Sequence, residues 1–397
     1  MKKAVLYVIF VLFVPVLLFA AEIKLPENLH ALAVVKKGER DGLWEKTLIV
    51  SFKERRRTLA TYDGLVEAMA AVNHSAHPLL WQKVSKEFMD KKGCGGKVYT
   101  EHIHDQVASE LKLKKSDITK MATAADMDNL AVVTKEQGPF SVTILATAGA
   151  KTNALRTGVD MSSHVEGEAQ HGTINIVVLT NARLTDGAMA RAIVTVTEAK
   201  TAALQDLKVP SSYTKGVQAT GTGTDSVIVV SGTTGPKASY AGGHSLLGSL
   251  IGKATYEAII EALGKQNGFL LPGAKPYVTE SSIRLQKVTD NALKWLSLVD
   301  NSKYCDSWTQ AAPYFRGTVG REKWAEMTAN VRKPLGKVLD RKLHRSLHTK
   351  RWTGLPDGEY LIIEYKTKFE NKTEAIETVT SSLENGGTWK VSGYFIK

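Results

Sequence analysis

The sequence predicts an α/β layered domain with a mostly buried sheet, followed by a smaller α+β domain with a helix on an antiparallel sheet. Three observations carry this reading. Runs such as Ile174–Leu179 and Val227–Ser231 are apolar and largely β-branched, as strands covered on both faces are. Amphipathic segments of helical period alternate with them, the pattern of a layered α/β fold. Near Pro272–Pro276 the composition shifts: five of seven tryptophans follow that point and eight of ten histidines precede it. At 397 residues the chain suits two domains better than one. The expected division is a leader at 1–21, a first domain at 22–270, a linker at 271–281 and a basic α+β domain at 282–397.

The elements follow in order. Lys2 and Lys3 precede an apolar run from Ala4 to Ala21, broken only by Pro15, which reads as a secretory signal peptide and implies a periplasmic protein. Leu18 or Phe19 at the −3 position fits a cleavage site poorly, so an uncleaved membrane anchor is the alternative. Ala31–Ala60 reads as two extended stretches, and Gly64–Val72 as a helix carrying Leu65, Ala68, Met69 and Val72 on one side. Residues 91–96 read as a loop, and Lys115–Gly149 as helix–strand–strand with Ser141–Ala146 a buried strand. The clearest helix spans Asp186–Leu207, capped by Thr185. A second runs from Ser245 to Leu263, with Gly264 placed to end it. The tail opens with a helix near Asn291–Val299 and closes with strands at Glu359–Tyr365, Ala375–Ser382 and Thr388–Ile396.

Composition narrows the function classes. Hydrophobic residues make up 43% and charged residues 23%, which is ordinary globular usage. The net charge of +12 resides mainly in the tail, where basic residues outnumber acidic ones 20 to 13 from Ser281 onward. No nucleic-acid module accompanies it, so no nucleic-acid partner is expected. The basic domain instead suits docking to a membrane surface or an envelope protein. Cys94 and Cys305, one per domain, make neither a disulfide framework nor a metal pair and read as unpaired.

Common hydrolase signatures are missing: there is no G-x-S-x-G and no H-E-x-x-H. The cluster Thr220-Gly221-Thr222-Gly223-Thr224-Asp225 lacks the ending of a phosphate loop and precedes a strand, which argues against nucleotide binding. What remains is a dispersed set of small polar motifs at the edges of apolar elements. They are Asn73-His74, Thr123-Ala124-Ala125-Asp126, Thr147-Ala148-Gly149 with Asn153, Gly172-Thr173-Ile174-Asn175, Thr197-Glu198-Ala199-Lys200, the Gly/Thr run to Asp225, and Tyr240-Ala241-Gly242-Gly243-His244. In this order and spacing, from Glu45 to Leu263, the chain resembles the adenosylcobinamide amidohydrolase family. The resemblance implies hydrolysis of the amide joining the aminopropanol arm to the corrin ring, giving adenosylcobyric acid. The corrinoid is then substrate, and no cofactor is expected. An exported corrinoid-binding protein without turnover is the alternative.

Amide hydrolysis needs an activated water, a stabilised oxyanion and a proton for the leaving amine. The candidates for these tasks come from residue chemistry. Glu198 lies opposite the apolar stripe of its helix, with Arg191 and Thr195. It is a general base if the helix is packed on two sides and a solvated glutamate if it is not. Asp225 is a second carboxylate, or else a turn residue capping its own backbone. His244 precedes a helix and could relay a proton, or simply occupy the cap region. Asn73, Asp126, Asn153, Thr173, Asn175, Thr222 and Thr224 suit the amide-rich rim of a corrinoid. His102, His104 and Asp105, or His164, Glu166, Glu168 and His171, have metal-ligand chemistry, but the first set diverges on a helix and the second lies in a loop, so no metal site is assigned.

The tail resembles a family of short exported bacterial domains of unknown function, through Trp295–Asp300, Tyr304–Trp308, Arg332–Gly336, Leu355–Tyr360 and Gly387–Tyr394. A cystatin- or NTF2-like arrangement and a binding or assembly role are the expectations there.

Overall fold

A computed structural model describes residues 20–89, 95–161, 173–352 and 354–397. Nine strands form one sheet: β1 (Ala20–Ile23), β2 (Ala31–Arg40), β3 (Leu43–Ala60), β4 (Gly64–Ala76), β5 (Ile118–Thr123), β6 (Ala131–Gln137), β7 (Phe140–Ala148), β8 (Ile174–Thr180) and β9 (Ser226–Val230). Their order is β1-β2-β3-β9-β8-β7-β6, with β4 branching from β3 and carrying β5. The pairs β8–β9 and β4–β5 are parallel and the others antiparallel.

The length of β3 makes this topology possible. One edge of it pairs β2 along Leu43–Phe52 and β9 along Thr58–Ala60, while the other edge follows β4 throughout. Register breaks between Ser51 and Arg56. A bulge bends and over-twists the strand that carries it, so the sheet curls until β4 and β5 face β8. The inside of the curl is packed with Leu48, Val50, Phe52, Met121, Leu145, Val177, Leu179 and Ile228, all buried. Each such side chain contributes roughly 1.5–3 kcal/mol through burial.

Two helix pairs cover the outer faces. α1 (Pro78–Met89) and α2 (Gly95–Leu111) lie over β4 and β5. α3 (Asp186–Asp206) and α4 (Leu246–Asn267) lie over β7, β8 and β9. Thr185 caps α3 through its side chain, as expected. α4 runs past Gly264 to Asn267 and is ended by Gly268 at φ 74°, because only the later glycine adopts the left-handed cap.

The helix expected at Gly64–Val72 is strand β4. Its small apolar residues are buried on both faces, against the curl within and α1 and α2 without, and such a run fits either period. The helical reading at Lys115 is likewise replaced by a single 3-10 turn leading into β5. The expected loop at 91–96 lies mostly outside the described residues, and Gly95 already opens α2. The leader at 1–21 also lies outside them, apart from Ala20 and Ala21, which pair with Lys36 and Val35. No described helix is long and apolar enough to cross a membrane.

After an irregular stretch at 268–279 the C-terminal domain begins with α5 (Glu280–Asp300), α6 (Tyr304–Gln310), α7 (Pro313–Thr318) and α8 (Arg321–Arg332). An antiparallel sheet follows, β10 (Val338–Thr349), β11 (Tyr360–Phe369), β12 (Ala375–Glu384) and β13 (Thr388–Ile396), in that order. Trp295 and Trp324 pack between helices and sheet with Tyr394. Beyond the three expected strands, the structure adds β10, whose exposed, mostly polar residues carry no clear strand signal.

Candidate functional site

The parallel strands β8 and β9 start at the same rim where β4, β5 and β7 end, and most of the sequence motifs converge there. Asn73 on β4 donates through Nδ2 to Thr147 Oγ1 on β7 at 3.0 Å. Asn175 at the start of β8 donates to Asn73 Oδ1 at 2.9 Å and to the Ala122 carbonyl of β5 at 3.0 Å. Thr173 donates to Asn175 Oδ1 at 3.2 Å and to the Thr224 carbonyl at 2.5 Å. All four polar side chains are buried. In such surroundings each unmade bond would cost about 1–3 kcal/mol, so the network fixes the rim.

Beside it sits an ion pair. Lys200 Nζ donates to Asp225 Oδ2, and Asp225 also accepts from Thr222 Oγ1, from Thr222 N at 3.1 Å and from Ile174 N at 3.3 Å. Lys200 and Asp225 side chains are only 10% and 17% exposed. A Cβ on Gly221 would press on the ends of both side chains, so a larger residue there would displace the pair. Asn153 closes the turn: its carbonyl accepts from Gly223 N at 3.2 Å and its amide approaches Thr224 Oγ1 at 3.4 Å. Tyr213 donates to Asn153 Oδ1 at 2.6 Å.

Asp126 stands further along the rim, capping a 3-10 turn at Met127–Asn129. Lys46 bonds both Asp126, at 2.5 Å, and Asp128, at 2.7 Å. Burial would raise the Asp128 carboxyl, but Lys46 and Lys37 outweigh it and hold the group below its ordinary range. The C-terminal end of α4 reaches the same place, with Gln266 accepting from Asp126 N and Asn267 from Ala150 N.

The structure thus brings together Asn73, Asp126, Asn153, Thr173, Asn175, Thr222, Thr224 and Asp225. It does not bring Glu198 or His244 to them. Glu198 is exposed on α3, roughly 160° around the helix from Lys200. Helix α3 packs on one side only, which is the solvated-glutamate alternative. Thr195, expected beside Glu198, is buried and donates to the Ala241 carbonyl instead. His244 is exposed at the other end of α4, ~30 Å away along the helix. It lies against Tyr240, with Arg191 over the same ring.

Lys200 is the residue that the search for carboxylates passed over. Its signal was present: it falls between Val196 and Ala203 on the apolar stripe, where a lysine has to find a partner. His74, adjacent to Asn73, points the other way, bonding Thr47 and Tyr99 at 2.9 Å each. Complete burial, with Arg40 nearby, lowers its pKa to about 3.

Among the described residues no group of His, Cys, Asp and Glu is arranged to hold a metal. His104 meets Lys120 at 2.8 Å and Asp105 pairs with Lys115 at 3.0 Å. His164, Glu166, Glu168 and His171 lie outside the described residues. Cys305 is free, and Cys94 is also outside them.

Residues 32–270 match the family described as adenosylcobinamide amidohydrolase, and residues 291–394 match a family of proteins of unknown function. An uncharacterized protein of Methanocaldococcus jannaschii is 42% identical over 245 residues, 58% of this chain and 91% of its own length. That coverage leaves it no length for a C-terminal domain of this size. An adenosylcobinamide amidohydrolase of Methanosarcina mazei is 34% identical over 148 residues, 35% of this chain and 62% of its own.

Proposed function

The chain belongs to the adenosylcobinamide amidohydrolase family, and on that premise we propose that it hydrolyses the amide between the aminopropanol arm and the corrin ring of adenosylcobinamide, releasing adenosylcobyric acid. The observation that carries the choice of site is the Lys200–Asp225 pair, mostly buried beside a rim of carboxamides and hydroxyls. In this reading Asp225 takes a proton from the attacking water and passes it to the leaving amine. Lys200 offers positive charge to the developing oxyanion. Asn153, Thr222 and Thr224 face the amide-bearing edge of the corrin, which both donates and accepts hydrogen bonds. Asn73, Thr173 and Asn175 hold the strands that carry them.

One feature favours the rival reading, a corrinoid-binding protein without turnover: Asp225 already accepts from four donor groups, so its oxygens are committed to holding the turn and Lys200 in place. Incubation of residues 22–397 with adenosylcobinamide, followed by chromatography and mass analysis, decides between them. Many cobyric acid molecules per protein support the enzyme. Tight co-elution without product supports the binder, and the absence of both product and co-elution would sink both readings. We also propose that the apolar run at Ala4–Ala21 exports the chain to the periplasm. Fractionation of cells expressing the full chain tests this.

A further inference from the structure

Tyr213 is held against the site by its hydroxyl, while much of its surface is left open. The hydroxyl donates to Asn153 Oδ1 at 2.6 Å; Asn153 is 1% exposed and Tyr213 46%. Asn153 in turn braces the turn that carries Asp225. Its carbonyl accepts from Gly223 N at 3.2 Å and its Nδ2 approaches Thr224 Oγ1 at 3.4 Å. The approach is close enough that a Cβ on Gly223 would lie 3.0 Å from Asn153 Oδ1, the atom that Tyr213 bonds. The polar end of the tyrosine is therefore fixed beside the turn at 223–225.

The loop that bears Tyr213 is held by other groups. Ser211 N donates to the Val217 carbonyl at 2.7 Å, and Ser212 N to the Ala154 carbonyl at 2.8 Å. Asp160 accepts from Ser211 Oγ at 2.6 Å and from Thr214 Oγ1 at 2.5 Å. Ala154 and Leu155 pair with Thr222 and Gly221, so the backbone alone ties this loop to the Asp225 turn. The ring is thus not needed to shape the loop, and burial of apolar surface does not explain its place. An exposed aromatic anchored at its polar end has little rotamer freedom left to lose when a ligand covers it. A corrinoid offers the matching surface, an apolar, methyl-bearing macrocycle between its amide arms. We propose that Tyr213 is a substrate-binding residue: its exposed ring seats the apolar periphery of the corrin beside the arm that reaches Asp225. The proposal rests on the reading under Proposed function.

The test compares Tyr213→Ala with Tyr213→Phe in the full chain, reading KM and kcat for adenosylcobinamide and checking each fold by thermal unfolding. Tyr213→Ala should raise KM about tenfold or more while kcat stays within about threefold, because only uniform binding is lost. Tyr213→Phe keeps the ring and should recover most of that binding. Tyr213→Thr, a polar residue suited to an exposed loop, replaces the alanine variant should that one not fold, with the same rise expected. An unchanged KM in Tyr213→Ala overturns the proposal. So does a Tyr213→Phe variant as impaired as Tyr213→Ala, which would make the hydroxyl's hold on Asn153 the whole effect. A wild type that neither binds nor cleaves a corrinoid overturns the functional reading, and this proposal with it. An active wild type whose alanine variant matches it overturns this proposal alone. If the wild type binds without cleaving, Kd from a spectral titration is read in place of KM, and the same rise is expected.

Discussion

Asn73 on β4 and Asn175 on β8, 102 residues apart in sequence, share a 2.9 Å hydrogen bond across the mouth of the curled sheet. No strand ladder joins β4 to β8, so this contact and the Asn175 bond to Ala122 tie the two walls together. Asn175→Ala would leave Asn73 Oδ1 and the Ala122 carbonyl short of a donor, while the Thr173 hydroxyl keeps the Thr224 carbonyl. Denaturant unfolding should show a loss of about 2–4 kcal/mol, more than a single neutral hydrogen bond is worth. A double-mutant cycle with Asn73→Ala should give a clear coupling energy.

Asp225→Asn should abolish turnover and also destabilise the fold. It leaves the Lys200 ammonium buried without a counter-charge, a change worth about 3 kcal/mol. Lys200→Met should do comparable harm alone. Combined with Asp225→Asn it should cost less than the sum of the two, since no charge then remains stranded. Thermal unfolding of the three variants reads this out.

Glu198→Gln should be silent. An exposed helix position away from any partner changes stability by less than about 0.5 kcal/mol, and activity should stay at the wild-type level. A large loss of turnover would place chemistry on the outer face of α3 and contradict the rim as the site.

Acid should weaken the first domain through His74. Its folded pKa of about 3 lies below the ordinary value of 6.5. Between those values the unfolded chain binds the proton and the folded one does not, so stability falls as pH drops below about 6.5. The slope is up to ~1.4 kcal/mol per pH unit. His77, lowered to about 4 by burial and by His348, adds to the effect down to that pH. Urea midpoints at pH 7 and pH 5 should differ accordingly, and His74→Gln should flatten the dependence.

Legibility in the sequence followed how local each signal was. Helices α3 and α4 could be read from their own spacing, and β8 and β9 from uninterrupted β-branched runs. Strand β4 could not, because small apolar residues buried on both faces carry no period that separates helix from strand. The curl was invisible for another reason: it depends on the register break after Ser51, which needs a partner strand to define it. The motif residues were found because each is polar at the end of an apolar element. Their grouping was not, since Asn73, Asn175 and Asp225 meet only once β4 has folded across onto β8. Glu198 misled because a carboxylate was sought where a buried lysine, two residues later, was the unusual feature.

Helices α3 and α4 both point their carboxyl ends toward the rim, α4 closely enough for Gln266 and Asn267 to bond its loops. Aligned peptide dipoles concentrate partial negative charge at such ends. If the proposed hydrolysis of a neutral amide takes place there, it creates a new carboxylate in that field, while the departing amine leaves as a cation. The field is indifferent to the uncharged bond being cut and unfavourable to the acid it becomes. Product inhibition by the released acid should therefore be weak.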